Sequence, residues 1–240
     1  MTIQGNADLR ALLFDVQGTT VDFHSVVTAA ARRIAGARYP DVDWAGFTDR
    51  WRAEYFTALK AATPRRDTAW VTVHSVYRHA LDRLLAEDGL ALTPDERDEL
   101  TLSWRRMVAW PDTVVGLGRL GTRFTLATLS NADVAAVVDI SKRAGLLWDA
   151  VFTAEMAGAF KPDPAIYAMA ARYLGFAPAE IMMVASHKYD IRAAGALGFR
   201  TAFVARPLEF GPDGAVDVSY EDDFDINARD FLDLAGQLGC

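Results

Sequence analysis

Disulfide chemistry is missing from this chain of 240 residues: its one cysteine is Cys240, so no intrachain disulfide can form and a cysteine-based zinc cluster is excluded. A basic surplus is missing too. Lys and Arg number 25 against 32 Asp and Glu, giving a formal net charge of −7 and a sequence pI ≈ 5.1. Nothing in that balance supports binding along a nucleic-acid backbone, although a local anion pocket stays open. No run of about eighteen apolar residues is present to span a membrane, and the opening MTIQGNADLR has no apolar secretory segment. No nucleic-acid or membrane partner is therefore expected, and a cytoplasmic location is. Internal repeats and low-complexity tracts are also lacking. What is there is a composition 51% hydrophobic and 24% charged, suited to a substantial core with one smaller domain.

Four short apolar runs read as strands covered on both faces: ALLF (Ala11 to Phe14), FTLATL (Phe124 to Leu129), IMMV (Ile181 to Val184) and TAFV (Thr201 to Val204). A shorter candidate is AVF, Ala150 to Phe152. Helix-length segments separate the later runs, the alternation of a parallel α/β sheet. The stretch between the first two strands differs, with helical periodicity and no convincing strand. Trp44, Phe47, Trp51, Tyr55 and Leu59 share one helix face; Trp70, Val73, Tyr77, Ala80, Leu81 and Leu84 share another. TPDE marks a third start, with Thr93 capping, Pro94 in the first turn and Glu96 closing a capping box, ahead of Leu100, Trp104 and Met107. So long a connection between strands implies an inserted domain. The expected division is a core of residues 1–20 and 111–240 with a helical cap at 21–110. The acidic SYEDDFD reads as a solvated loop before a last helix.

Ligands of open α/β sheets collect at the carboxyl ends of strands. Asp15 lies there in LLFDVQGTTVD, with Thr19 within a helical turn and Gly18 allowing a tight bend. Alone it is either a turn-forming acid or a carboxylate aimed at a reaction centre. Ser130 and Asn131 end the second strand, as helix caps or as ligand donors. Lys161 in GAFKPDPAIYAMA is an exposed loop lysine or a cation that keeps a carboxylate ionised. In IMMVASHKYDIRAAGALG, Ser186 and His187 occupy a loop and Asp190 is placed to cap a helix beginning at Ile191. Polar residues at four strand ends are harder to dismiss than any one of them.

Taken in order, FDVQGTTVD, TLSNAD, FKPDPAIY and SHKYDIRAAGALGFRTAFV resemble the motifs of the haloacid dehalogenase superfamily, and of its two-domain L-2-haloacid dehalogenase type. DFHSVV and RWRAEYFTAL are similar to the cap of that subfamily, so the resemblance extends over almost the whole chain. It implies an α/β fold: a doubly wound parallel sheet core with an inserted helical cap. It also implies Asp15 as nucleophile, Thr19 steadying it, Lys161 contacting it, and Asp190 beside the lysine and the attacking water. Ser130 and Asn131 then bind the substrate carboxylate and border the halide site; Tyr167 matches a tyrosine of the dehalogenases, and Arg52 a cap arginine that receives the halide. Phe23, Trp51, Tyr55 and Phe56 are candidate pocket walls or simple cap-to-core packing.

The chain departs from the pattern at three places. Gln17 stands where phosphatases of the superfamily carry a second aspartate as general acid and where dehalogenases usually have tyrosine. An amide cannot protonate an alkoxide leaving group, whereas a halide needs no proton. Ala185 replaces a serine, and His187 replaces an asparagine; protonated, His187 would be a stronger donor, suited to fluoride. The implied reaction is hydrolysis of short 2-haloalkanoic acids to 2-hydroxy acids through an aspartyl ester, fluoroacetate included, with no cofactor or metal. Alternatives are a Mg²⁺-dependent phosphatase or phosphonatase, hydrolysis of a strained-ring carboxylate, and a non-catalytic ligand-binding module. A homodimer is compatible with the resemblance.

Overall fold

The computed structural model describes residues 8–61 and 70–240; residues 1–7 of the expected core and 62–69 of the expected cap lie outside the described residues. The chain enters through β1 (Ala11–Phe14) and β2 (Val21–Asp22) and then forms four helices, α1 (His24–Ala35), α2 (Trp44–Ala61), α3 (Val73–Glu87) and α4 (Pro94–Leu102). It returns through β3 (Val108–Ala109) to α5 (Thr113–Leu120), β4 (Thr125–Ser130), α6 (Val134–Ala144), β5 (Ala150–Thr153) and α7 (Ala154–Ala157). The last part comprises α8 (Pro164–Leu174), β6 (Ile181–Ala185), α9 (Lys188–Gly195), β7 (Arg200–Val204), β8 (Ile226–Ala228) and α10 (Phe231–Gln237).

Six strands form one parallel sheet in the order β5-β4-β1-β6-β7-β8. The four residues of β1 are fully buried between β4 and β6, which is why that strand is apolar at every position. Chain order reverses around β1: the crossovers go to β4 on one side and later to β6 on the other. That reversal opens the crevice in which doubly wound proteins bind ligands, and β1 points its carboxyl end into it.

The helical insertion leaves and rejoins the core side by side, because β2 and β3 pair antiparallel and Trp110 N–H bonds the Thr20 carbonyl at 3.3 Å. These two-residue strands carry too little pattern to be read from sequence. Trp44, Phe47, Trp51, Tyr55 and Leu59 are all buried along α2, as their spacing predicts. Trp70 is not part of α3, which starts after its N-cap Thr72; the indole instead packs against Phe160 at a tilt of 37°, with centroids 4.7 Å apart. Thr93 and Glu96 close the predicted capping box. Below the acidic run, β8 intervenes before the last helix, and the run is not merely solvated: Phe224 is buried and Asp225 accepts from Thr201. No helix among the described residues is long and apolar enough to cross a membrane.

One carboxylate ties the insertion to the sheet. Asp133, the N-cap of α6, turns its side chain to the start of α3, accepting the N–H groups of Val73 and His74 at 2.8 and 2.9 Å. Thr72 takes the next free N–H, from Ser75, at 3.2 Å. The helix start is thus satisfied partly from its own chain and partly from the core. Replacing Asp133 by alanine orphans two donors and is expected to cost about 1–2 kcal/mol in urea-unfolding experiments. Asp133→Asn, which keeps one acceptor, should lose less; equal stability of all three proteins would refute the clasp.

Candidate active site

Asp15 is the first residue beyond β1. Its N–H continues the pairing to Val184 at 3.0 Å, and its carbonyl accepts the Thr20 hydroxyl at 2.6 Å, so backbone and turn together fix the direction of the carboxylate. Gly18 makes that turn possible: its φ is +91°, and an added Cβ would stand 2.3 Å from a Glu209 oxygen.

Three donors converge on the Asp15 carboxylate. Lys161 Nζ lies 2.8 Å from Oδ1, while the Thr19 hydroxyl at 2.7 Å and His187 Nδ1 at 2.9 Å share Oδ2. A carboxylate oxygen has two lone-pair directions, so Oδ2 is saturated and Oδ1 keeps one direction open. Burial alone would push the Asp15 carboxyl up, but the Lys161 ammonium and the imidazole outweigh it and hold the group well below the usual carboxylate range. It is ionised at neutral pH.

Lys161 also contacts Asp190, which in turn accepts the Tyr167 hydroxyl at 2.5 Å. Burial would lower the ammonium's pKa, yet the charges of Asp15 and Asp190 raise it above its ordinary value. Asp190 itself is pushed up, first by burial and then by the like charge of Asp15. Asp190 does not cap a helix at Ile191: α9 begins at Lys188 after the N-cap His187, which frees the carboxylate to turn inward. Lys161 likewise is buried rather than an exposed loop lysine, and Asn131 holds its backbone through an N–H bond of 2.7 Å.

A second cluster surrounds Arg52, whose Nη1 donates to Gln17 Oε1 at 2.7 Å and to the Tyr77 hydroxyl at 2.5 Å. Tyr77 donates to the same Gln17 oxygen at 3.1 Å, and burial pushes its hydroxyl up to about 12, so it stays protonated. The guanidinium lies 4.9 Å from the Phe23 ring, 5.0 Å from Tyr55 and 4.6 Å from Phe56. It is buried, its Nε–H has no partner, and among the described residues no carboxylate pairs with it. A buried cation with no paired carboxylate is costly to keep away from water, and here hydrogen bonds and aromatic faces offset part of that cost.

The other expected residues are placed as follows. Ser130 ends β4 and is buried, and its hydroxyl has no hydrogen-bond partner among the described residues. Tyr55 OH donates to the Asn131 carbonyl at 2.9 Å. Trp51 packs within the insertion, its indole N–H on the Tyr77 carbonyl at 2.8 Å and its ring against Phe47, Tyr77 and Trp104. Ser186 gives its N–H to Thr19 Oγ1 at 2.9 Å, and its hydroxyl lies 3.0 Å from Thr19 Oγ1 and 3.5 Å from Glu209 Oε2. His187 does not hold an N–H out for a halide: its two ring nitrogens face Asp15 and, at 2.7 Å, Glu209 Oε1.

Glu209 and Tyr77 are the residues missed by reading the sequence for ligands. The signal for Glu209 is weak, a lone acid between Leu208 and Phe210 in ARPLEFGP. Tyr77 is legible only as part of an apolar helix face.

Comparison with known proteins agrees with this geometry. Residues 9–198 match the family model for haloacid dehalogenase-like hydrolases, a span that includes Asp15, the helical insertion, Lys161 and Asp190. The class so defined is a hydrolase of small substrates that works through an aspartyl nucleophile. The chain belongs to the haloacid dehalogenase superfamily, in its L-2-haloacid dehalogenase subfamily. It is 32% identical to the (S)-2-haloacid dehalogenase of Xanthobacter autotrophicus over 82% of this chain and 76% of that protein. The crystal structure of the L-2-haloacid dehalogenase PA0810 is 40% identical, with a TM-score of 0.89 over 96% of this chain and 98% of that one. That of the defluorinating L-2-haloacid dehalogenase Rha0230 is 36% identical, with a TM-score of 0.90 over 97% and 96%.

With carboxylates on both ring nitrogens, the pKa of His187 rises from 6.5 to about 10, Glu209 and Asp15 overcoming the opposing effect of burial. A group whose folded pKa is raised gives stability that is complete below its unfolded pKa and is lost as pH climbs through the folded one. Between pH 7 and pH 10 the protein is therefore expected to lose more than about 1 kcal/mol beyond any loss in His187→Asn, measured by urea unfolding at both pH values. Parallel pH dependence in the two proteins would contradict a charged His187.

Proposed function

We propose that this enzyme hydrolyses short 2-haloalkanoic acids to 2-hydroxy acids, releasing halide without a metal. The observation that carries the reading is an ionised Asp15 with one open oxygen lone pair and no acid at position 17 to protonate a leaving group. Asp15 Oδ1 attacks C2 of the bound substrate from the face opposite the halogen; the C2–halogen bond breaks and its electron pair leaves with the halide. Arg52 receives the anion through its unpartnered Nε–H, and the Ser130 hydroxyl and Asn131 amide bind the substrate carboxylate. Halide-binding strength grows as charge develops, which is what accelerates the step.

Water then adds to the carboxyl carbon of the ester while Asp190 accepts its proton. The bond from that carbon to the original Oδ1 breaks, the departing oxygen takes that proton, the 2-hydroxy acid leaves with inverted C2, and the water's second proton passes from the new Asp15 carboxyl group to solvent. Lys161 keeps Asp15 ionised for the next cycle. In this scheme residues 1–20 and 111–240 are the catalytic core, and 21–110 the cap that shuts water away from the displacement. Phe23, Tyr55 and Phe56 narrow the space around Arg52, which favours small substrates, and the range extends to fluoroacetate because a compact anion needs a buried, strong donor. Likeness to the (S)-2-haloacid dehalogenases supports preference for the (S) enantiomer. One chain supplies every one of these side chains, so a homodimer is not needed to complete the site.

The purified enzyme, in chelator, is expected to release halide from chloro-, bromo- and fluoroacetate and from (S)-2-chloropropionate. Asp15→Asn should lower the rate at least about a thousandfold, and Arg52→Met about a hundredfold. In heavy-oxygen water a single turnover should put label into Asp15 before it reaches product. Absence of halide release from every substrate, or product labelled in the first turnover, would sink the reading.

A further inference from the structure

Glu209 is a buried acid that the two-step scheme does not use. It sits on the turn after β7, where its N–H closes onto the Arg206 carbonyl at 3.0 Å. Arg206 anchors that turn, donating to the Thr19 carbonyl at 2.7 Å and clamping Asp112 with bonds of 2.7 and 2.9 Å. The acid is therefore aimed by the same Gly18–Thr20 turn that aims Asp15. Gly18 takes part directly: a Cβ there would meet Glu209 Oε1 and Cδ at 2.3 and 2.8 Å and His187 Cε1 at 3.3 Å, so the missing side chain is the space through which the pair reaches the site.

Both ring nitrogens of His187 face carboxylate oxygens, at 2.9 and 2.7 Å. An ionised carboxylate only accepts, so each nitrogen must carry a proton and the ring is an imidazolium. Its Nδ1–H shares Asp15 Oδ2 with the Thr19 hydroxyl, the arrangement of a two-donor oxyanion hole. Oδ1 is the oxygen left free to attack, so Oδ2 becomes the carbonyl oxygen of the ester.

We propose that Glu209 is a positioning residue for ester hydrolysis: it holds His187 as a two-proton donor, so that His187 and Thr19 stabilise the charge on Asp15 Oδ2 when water adds. This rests on the dehalogenase reading and assigns a task within its second step. As water adds to the carboxyl carbon, the carbonyl π pair moves onto Oδ2. The pair returns when the bond to the old Oδ1 breaks, and the proton passes through Asp190 to the departing 2-hydroxy acid. A cationic donor is worth most at that moment, because Oδ2 is a neutral carbonyl oxygen before and after it. The titratable and charged groups facing the ring are Asp15 from the end of β1, Glu209 from the turn after β7, and Tyr189 on its own helix, with Lys161 across the Asp15 carboxylate. The negative charges of Asp190 and Asp15 keep the half-exposed Tyr189 hydroxyl protonated, so it does not titrate with the imidazole.

The test follows His187 by NMR and the two chemical steps by rapid-quench single turnover with (S)-2-chloropropionate. In wild type at pH 8 both ring nitrogens should be protonated; a neutral ring overturns the proposal without any variant. In Glu209→Gln the imidazole should titrate below its wild-type value, with Asp15 alone still raising it in the free enzyme and neither acid doing so once Asp15 is esterified. Halide should still appear as a burst, while ester decay slows about tenfold to a hundredfold at pH 8 and a protein adduct of the acyl mass accumulates. Lowering the pH to 6 should restore decay in Glu209→Gln but not in His187→Asn. Ester decay at the wild-type rate in Glu209→Gln, or no recovery at low pH, overturns the role of Glu209. Wild type that releases no halide at all counts instead against the dehalogenase reading, a different result from a normal burst with normal decay.

Discussion

Asp15 and Asp190 are two buried carboxylates within reach of each other, and a single ammonium, that of Lys161, touches both. Without it one of the two acids would take up a proton, since like charges away from water cannot both be kept. The fold is arranged to deliver that lysine. Asn131 holds its backbone from the end of β4, Phe160 beside it packs under Trp70 of the insertion, and Tyr167 meets the far oxygen of Asp190 from α8. Residues from three strand ends are thereby locked to one charge. A parallel sheet suits this, because every strand points its carboxyl end the same way.

Three acids, Asp15, Asp190 and Glu209, meet three basic groups, Lys161, His187 and Arg52, around the site. The positive groups are not equivalent. Lys161 is spent on Asp15 and Asp190 and His187 on Asp15 and Glu209, whereas Arg52 hydrogen-bonds only the neutral Gln17 and Tyr77 among the described residues. The cap therefore contributes the cation that has no fixed anion, and the core those that do. Because Asp133 caps α3 and Trp110 donates to the Gly18 carbonyl at 2.8 Å, the part carrying Arg52 is tied to the turn carrying Asp15.

Much of the sheet was legible in the sequence because buried parallel strands are apolar at each position, and ALLF, IMMV and TAFV show it without ambiguity. The strand INA was not: it has three residues, a polar centre and an acidic run before it. Asp15, Lys161 and Asp190 could be named from motif order, and the structure brings them into contact. Their partners could not be named so readily. His187 meets Asp15 across 172 positions and Tyr77 meets Gln17 across 60, separations that leave no local periodicity. Asp190 shows the opposite error. Its place near a helix start makes it read as a cap, but a local role is only the default for an acid when no distant cation claims it.

The substitution of histidine at 187 looks at first like a change in the halide site, yet the ring's contacts turn it toward the other half of the cycle. In the proposed cycle, displacement moves negative charge from Asp15 to the departing halide and leaves a neutral ester. His187 then loses one anionic acceptor and keeps the other, Glu209, so its proton is retained through the step in which Asp15 is uncharged. Water addition returns a negative charge to the oxygen the imidazolium already faces. That contact stabilises the resting carboxylate and so opposes the displacement, and it is regained when water adds. In the proposed cycle Arg52 and His187 divide the two developing charges between them: one takes the charge that leaves with the halide, the other the charge that comes back to the carboxyl group.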